Sequence, residues 1–340
     1  MRSALRALGT AFAVLAVIAT AGVAVTRMAP SPAATSAADA EALAALENAT
    51  RETEASDAAA GGDTLVPAGC TTVTITPPTS GDHYQGDLCV PEGEHRDVAI
   101  VLVHGGGGFG GSRTDMGGWA QVYQYAGYVT ISVDYLVFGE TTRSPVYPEP
   151  EQDVKAAVQY VRDHARALRV DVDRIVVHGS SAGARLGGQL YVSGDDPYYY
   201  GAEMWPVTPD HINGFIGFYG YYSGLSADEE RYYGGRESSP DLEVRERWKK
   251  ADSVLNADGA RGPSLLVHGE ADGVIPVGQT ERFAAALDAA GKDVSSEIVP
   301  ASDHGFDVVD GGALTDAGRE VARTVLDWLE THFPQDPRSR

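Results

Sequence analysis

The chain of 340 residues carries 48 Asp and Glu against 26 Lys and Arg, a formal net charge of −22. So acidic a chain, with no basic stripe, has no charge-based grip on nucleic acid or anionic lipid, and no nucleic-acid partner is expected. At 43% hydrophobic and 22% charged residues the composition is that of a folded protein, and two cysteines are too few for a disulfide scaffold or a four-thiolate zinc site.

Arg2 and Arg6 precede an apolar run from about residue 7 to residue 25, with no charge until Arg27. This is the layout of an export signal, and Ala19-Thr20-Ala21 offers a small-x-small cleavage site. The run is also about long enough to span a bilayer core. Residues 1–27 therefore read either as a removed signal peptide or as an N-terminal membrane anchor. No cysteine follows closely, which sets a lipid-anchored lipoprotein aside. Both readings place the bulk of the chain outside the cytoplasm, secreted or held at the membrane. Residues 28–67 are rich in Ala, Ser, Thr, Pro and acids and read as a flexible linker; a sequon at Asn48 carries little weight.

The folded domain is expected over residues 68–335. It opens with two strand-like runs, residues 71–76 and 84–88, around the turn-forming cluster Pro77-Pro78-Thr79-Ser80-Gly81-Asp82. The midpoint of Cys70 and Cys89 falls inside that cluster, so a hairpin folded there sets the two thiols opposite each other. In an oxidising compartment they pair, closing a loop worth roughly 3 kcal/mol.

Beyond the hairpin, apolar β-branched runs at residues 98–103, 128–133, 174–177, 212–218, 264–267 and 294–299 read as buried strands. Helical patterns lie between them. Val154, Ala157, Val158 and Val161 follow i, i+3, i+4, i+7 spacing, and Val321, Val325 and Leu329 share a face of the last helix. Phe283 and Leu287 face the core on a helix ending near Gly291. Strands buried on both faces and alternating with helices predict an α/β class: a mostly parallel central sheet flanked by helices.

Chemistry-bearing residues collect at the strand ends. Val177-His178-Gly179-Ser180-Ser181-Ala182-Gly183 follows a strand and opens a helix, fitting G-x-S-x-G with Ser181 at its centre. Glycines two residues either side let a sharp strand-to-helix turn close, and the helix N-terminus directs N–H groups and its positive dipole end at the site. Upstream, His104-Gly105-Gly106-Gly107-Gly108-Phe109-Gly110-Gly111 follows another strand, where bare backbone N–H groups can approach a developing oxyanion. Downstream, His268-Gly269-Glu270-Ala271-Asp272 and Asp303-His304-Gly305-Phe306 each follow a strand. The order Ser, Asp, His is that of the α/β-hydrolase triad.

On these motifs the region from about residue 98 to residue 333 resembles the α/β-hydrolase superfamily, in particular its esterase branch with an H-G-G-G oxyanion motif, the carboxylesterase and hormone-sensitive-lipase-like enzymes. The resemblance implies Ser181 as nucleophile, His304 as general base and Asp272 as its acid partner. It also implies an oxyanion hole formed by the N–H groups of Gly106, Gly107 and Ala182. The function it implies is hydrolysis of carboxylic esters through an acyl-enzyme, with no cofactor, on a small-molecule or polysaccharide-linked substrate. Residues 189–262 hold no long apolar lid helix, so short acyl groups are expected, and with no H-E-x-x-H and no Cys/His cluster no metal is expected. Two departures stand out: Gly108 occupies the position where an aromatic is common, and the elbow reads G-S-S-A-G rather than G-D-S-A-G.

Neighbouring residues offer other assignments. Ser180 occupies the x position of the elbow, and Glu270 lies two residues nearer the strand than Asp272. His104, His178 and His268 are expected to hydrogen-bond loop backbone, and Asp303 to orient the loop of His304. Gly106-x-Gly108-x-x-Gly111 with Asp134 imitates a dinucleotide fingerprint, but that reading leaves the Ser, Asp and His motifs unexplained. Residues 189–262 hold nine of the sixteen tyrosines, with Trp205 and Trp248, and form either a small cap or excursions on the scaffold. Tyrosines suit sugars or phenolic groups, so a carbohydrate-linked acetyl or feruloyl esterase stays open as an alternative. So do a serine peptidase of the same fold and a non-catalytic binding protein.

Overall fold

In the computed structural model of the chain, the structure describes residues 69–75, 84–137, 141, 143–200, 208–223, 230–309 and 312–335. The N-terminal signal or anchor, the linker, Asn48, the hairpin turn and Trp205 lie outside the described residues. Among the described residues, no helix is long and apolar enough to cross a membrane.

Eight strands form one sheet in the order β1-β2-β4-β3-β5-β6-β7-β8. They are β1 (Cys70–Ile75), β2 (Tyr84–Cys89), β3 (Ala99–Val103), β4 (Val129–Val133), β5 (Ile175–Ser180), β6 (Gly214–Phe218), β7 (Ser264–Gly269) and β8 (Val294–Val299). β1 and β2 are antiparallel, as are β2 and β4, and every pairing from β4 through β8 is parallel. This is the mostly parallel sheet that the apolar runs predict. The chain moves from β3 to β4 on one side, then crosses back to β5 on the other. The crevice at that reversal, at the carboxyl ends of β3 and β5, is where an α/β sheet places its site.

The sheet is covered on both faces, which is why its central strands read as continuous apolar runs. Strand β3 shows how alternation divides the core: Ala99, Val101 and Val103 belong to one apolar cluster, Ile100 and Leu102 to the other. The first cluster packs beneath helices α2 (Glu149–Asp163), α3 (Ala182–Ser193) and α5 (Gly278–Ala289). The second packs beneath α1 (Gly117–Tyr125) and α6 (Asp316–His332). Val154, Ala157, Val158 and Val161 of α2 are all fully buried, as are Val325 and Leu329 of α6. Helix α5 stops at Ala289, two residues before Gly291, whose φ of +69° lets the chain turn back and the Lys292 N–H reach the Leu287 carbonyl at 2.9 Å.

Two of the strand boundaries that differ from the sequence reading have their own local causes. Strand β5 extends past Val177 through His178, Gly179 and Ser180, weak strand formers held by Leu102 and Val103 on one side and Ile216 to Phe218 on the other. Strand β6 begins at Gly214 rather than at residue 212, because the Asn213 side chain ends the ladder by accepting from the Ile175 N–H at 3.1 Å.

Residues 189–262 include the end of α3 and strand β6, and outside the sheet they add helix α4 (Leu242–Ala251), capped by Asp241. Most of their tyrosines are buried rather than arrayed outward as a platform, Tyr200 being the exposed one. Tyr199, Tyr232, Tyr233 and Trp248 join Leu136, Val146 and Tyr147 in a satellite core. Tyr147 and Tyr199 share a hydroxyl hydrogen bond of 2.6 Å, and Tyr232 donates to the buried Glu151 at 2.7 Å. A buried ion pair adds to this brace: Lys155 of α2 donates to Asp210 at 2.8 Å and to the Gly194 carbonyl, just past α3, at 2.6 Å.

Cys70 and Cys89 are register partners in the hairpin and are joined by a disulfide. The bridge closes a loop of 19 residues at the sheet edge. Replacing both with Ser should lower unfolding free energy by about 3 kcal/mol, read from the urea transition. An unchanged transition would show that the bridge contributes nothing to the fold.

Candidate active site

The site is organised by one strained residue. Ser181 lies between β5 and α3 with φ +55° and ψ −115°, a conformation rarely adopted by a residue with a side chain. The close packing on either side holds it there. A Cβ on Gly179 would lie 2.2 Å from the Gly183 carbonyl oxygen, and one on Gly183 would lie 2.1 Å from that of Val103. Only glycines allow the strand and helix to meet so tightly. The Ser181 N–H donates to Phe218 of β6 at 2.9 Å, and its carbonyl accepts the Arg185 N–H at 3.1 Å.

The structure brings Ser181, His304 and Asp272 together. Ser181 Oγ lies 3.0 Å from His304 Nε2, and His304 Nδ1 lies 2.8 Å from Asp272 Oδ2. The Asp272 side chain is fully buried, and its Oδ1 accepts the N–H groups of Val274 and Ile275 at 2.8 and 2.7 Å. With Asp272 as acceptor, Nδ1 carries the imidazole hydrogen and Nε2 is left to accept from the serine.

The glycine run lies against this serine. A Cβ on Gly105 would sit 3.2 Å from Ser181 Cβ, so the β3 loop passes directly beside the nucleophile position. Gly106, Gly107 and Gly108 all have positive φ, and the Gly106 carbonyl closes a tight turn by accepting from Phe109 and Gly110. Among the described residues, the N–H groups of Gly106, Gly107 and Ala182 donate to no protein acceptor. The loop is anchored at both ends. The Tyr135 hydroxyl donates to the His104 carbonyl at 2.9 Å beneath a stacked His104 ring. At the far end Arg113 bridges Asp87 at 3.0 Å and Asp134 at 2.6 Å. Asp134, the acid of the imitation dinucleotide fingerprint, is thus engaged in holding the loop.

The bystanders fall into place. Ser180 ends β5 and is buried, and Glu270 is exposed and accepts from the Ala301 N–H at 3.3 Å. Asp303 accepts the N–H groups of Gly273 and His304 at 2.9 and 2.7 Å, and those bonds, Gly273 first, hold its carboxyl below the usual range. His104 pairs with the Gly105 carbonyl and His268 with that of Ile275. His178 differs from expectation: its partner is a side chain, the Tyr123 hydroxyl at 2.8 Å, rather than loop backbone. Full burial pushes its imidazole down to about 3, so it stays neutral.

Three supporting residues were not singled out by the motifs. Asp307, three residues beyond His304 and fully buried, accepts from Tyr219 at 2.6 Å and from the Trp119 indole at 2.8 Å. Burial raises its carboxyl. The Tyr219 ring stands edge-on to His304 at 4.7 Å, so the histidine loop is pinned to β6 and α1 together. A tyrosine just past a strand and an aspartate near the histidine were visible in the sequence, but 88 residues separate them and nothing local signals the pairing.

The fold is that of an α/β-hydrolase, with a serine on the sharp turn after β5 and a glycine-rich loop beside it. Residues 87–287 match the BD-FAE family, and the chain belongs to that family. Among curated proteins it is similar to esterase LipC of Mycobacterium tuberculosis, 28% identical over 66% of this chain and 56% of that one. It is also similar to esterase LipQ of the same organism, 30% identical over 60% of this chain and 48% of that one. The chain thus spans about half the length of the curated relatives it matches. Among solved structures, an esterase of Thermogutta terrifontis with propionate bound shares the fold with a TM-score of 0.66, at 22% identity over 79% of this chain and 97% of that one.

Tyr219→Phe tests the support beneath the histidine. It keeps the ring but leaves Asp307 Oδ1 buried without its donor, so stability should fall by about 1–3 kcal/mol. Urea unfolding reads this directly, and an unchanged midpoint would show that the Tyr219–Asp307 bond is not part of what holds the loop.

Proposed function

We propose that the chain is a serine hydrolase that cleaves carboxylic esters through an acyl-enzyme, with Ser181 as nucleophile, His304 as general base and Asp272 as its partner. The observation that carries this reading is the continuous relay Ser181–His304–Asp272, set on a turn that closes because Gly179 and Gly183, two residues either side, carry no side chain. As Ser181 Oγ bonds to the ester carbonyl carbon, its proton passes to His304 Nε2. Asp272 keeps the imidazole in the required tautomer and stabilises the imidazolium. The carbonyl oxygen, now an oxyanion, is received by the N–H groups of Gly106, Gly107 and Ala182. Collapse of the intermediate expels the alcohol, which takes the proton from His304. Water, giving a proton to His304, then attacks the acyl-enzyme carbonyl, and as the Ser181 Oγ–carbon bond breaks Oγ takes that proton back from His304 and the acid is released. The similarity to named esterases and the BD-FAE membership agree with ester rather than amide substrates.

Short acyl groups are the substrates this site suits best. Among the described residues of 189–262 the longest helix after α3 is α4, whose sequence LEVRERWKKA is mostly charged and buries only Val244, Trp248 and Ala251. That buried side is already packed in the satellite core, which leaves none to shelter a fatty chain. The loop beside Ser181 is mostly glycine and carries no aromatic at Gly108, which leaves room for a bulky alcohol group, and a carbohydrate-linked acetyl or feruloyl ester is the second reading on that ground. The disulfide and the apolar N-terminal run support work outside the cytoplasm, with the N-terminus cleaved or serving as an anchor.

Ser181→Ala should reduce ester turnover by roughly 10⁴–10⁶-fold while Ser180→Ala retains most of it. Equal losses would displace the nucleophile from Ser181. In a p-nitrophenyl ester series, kcat/KM should peak between acetyl and butyryl, with no activation by an oil interface. A maximum at long chains would mean that residues 189–262 act as a lipase lid.

A further inference from the structure

The acid of the relay is shared. Asp272 Oδ2 faces not only His304 Nδ1 at 2.8 Å but also Nε2 of His268, at 3.2 Å. His268 ends β7 next to Gly269, and its side chain, like that of Asp272, has no exposed surface. Its tautomer is fixed by its surroundings. Nε2 also lies 2.9 Å from the Ile275 carbonyl oxygen, so both of its neighbours are acceptors and Nε2 must carry the hydrogen. Nδ1 lies 2.8 Å from the hydroxyl of the buried Thr280 in the first turn of α5 and accepts from it. Burial lowers the basicity of this imidazole and keeps it neutral.

We propose that His268 is a positioning residue of the hydrolytic site: a neutral donor that shares the Asp272 carboxylate with His304 and thereby sets how strongly Asp272 draws a proton onto His304. This deepens the serine-hydrolase reading and rests on it. The chain of contacts runs from Thr280 through His268, Asp272 and His304 to Ser181. The carboxylate then has four N–H neighbours: the backbone N–H groups of Val274 and Ile275 on Oδ1, and on Oδ2 the His304 N–H at 2.8 Å and, at 3.2 Å, the His268 N–H, which is shared with the Ile275 carbonyl at 2.9 Å. Each donor stabilises the carboxylate charge and reduces what remains for the imidazolium. Withdrawing His268 leaves Oδ2 to His304 alone and makes protonated His304 more favourable.

The other groups around His304 are unchanged by that withdrawal. Ser181 faces it from α3, and the Tyr219 ring faces it from the end of β6. On its own loop Asp303 accepts its backbone N–H, while the buried Asp307 is occupied by Tyr219 and Trp119. Glu270, beside His268 in the chain, is exposed and turned to Ala301.

The test is the titration of the His304 imidazole, followed by NMR in the full chain and in His268→Phe and His268→Gln, alongside the pH dependence of kcat/KM for p-nitrophenyl butyrate. Phe removes the donor and Gln retains an N–H at similar reach. In His268→Phe the His304 midpoint and the acid limb of kcat/KM should both rise by about half a unit to one unit, with kcat reduced about tenfold and KM little changed. His268→Gln should keep the wild-type midpoint. A folded His268→Phe with wild-type midpoint and kcat would overturn the proposal. Should His268→Phe fail to fold, nitrogen-15 histidine spectra of the wild type decide: His268 as the Nε2–H tautomer supports the proposal, and the Nδ1–H tautomer overturns it. A wild type that hydrolyses no ester would remove the proposed function, and the NMR midpoint would still judge the sharing of Asp272.

Discussion

Everything at this site depends on the contact between two glycines and the backbone around them. Gly179 and Gly183 let β5 run into α3 with almost no intervening space, and the residue between them, Ser181, is forced to positive φ. The strain is over-determined by the sheet, since Ser181 donates to β6 and Gly183 packs on the end of β3. A helix that starts so abruptly has unfilled N–H groups at its first turn, directed toward the same point as the serine. The sheet thus supplies both a raised hydroxyl and part of the positive field an oxyanion would need.

The remaining loops bring chemistry to that fixed point, and each is braced from outside the site. The glycine loop after β3 is tied by Tyr135 at one end and by Arg113, with Asp87 and Asp134, at the other. The histidine loop is tied by Asp307 to Tyr219 and Trp119. The acid loop is tied by the backbone N–H groups on Asp272 and by His268. Arg185, one turn along α3, packs over Tyr232 at 4.2 Å and donates to Tyr233 at 3.2 Å, which fastens residues 189–262 to the nucleophile helix. Preorganisation of this kind is what holds reacting groups within catalytic tolerance.

The parts legible from sequence were those whose signal is local. Buried parallel strands announce themselves as apolar runs, and Ser181, Asp272 and His304 each sit in a short motif at a strand end. What stayed hidden depends on partners far along the chain. The end of β5 is strand only because β3 and β6 flank it, and Asp307 matters only because Tyr219 and Trp119 reach it. Tyrosine is ambiguous for a physical reason: its ring suits a core and its hydroxyl suits a surface. The clusters of residues 189–262 suggest a sugar platform until Glu151, Tyr147 and Lys250 are seen to occupy their hydroxyls or rings. His268 was visible beside Asp272 in sequence, yet its link to the acid requires the loop after β7 to fold back by one turn.

The central claim is that the elbow serine is a nucleophile activated by His304. The most direct measurement is to treat the full chain with a fluorophosphonate and map the modified peptide by mass spectrometry, with and without His304→Ala. The account predicts one adduct, on Ser181, formed rapidly in the native chain and very slowly in the variant. Labelling on another residue, or at Ser181 at the same rate without His304, would contradict it.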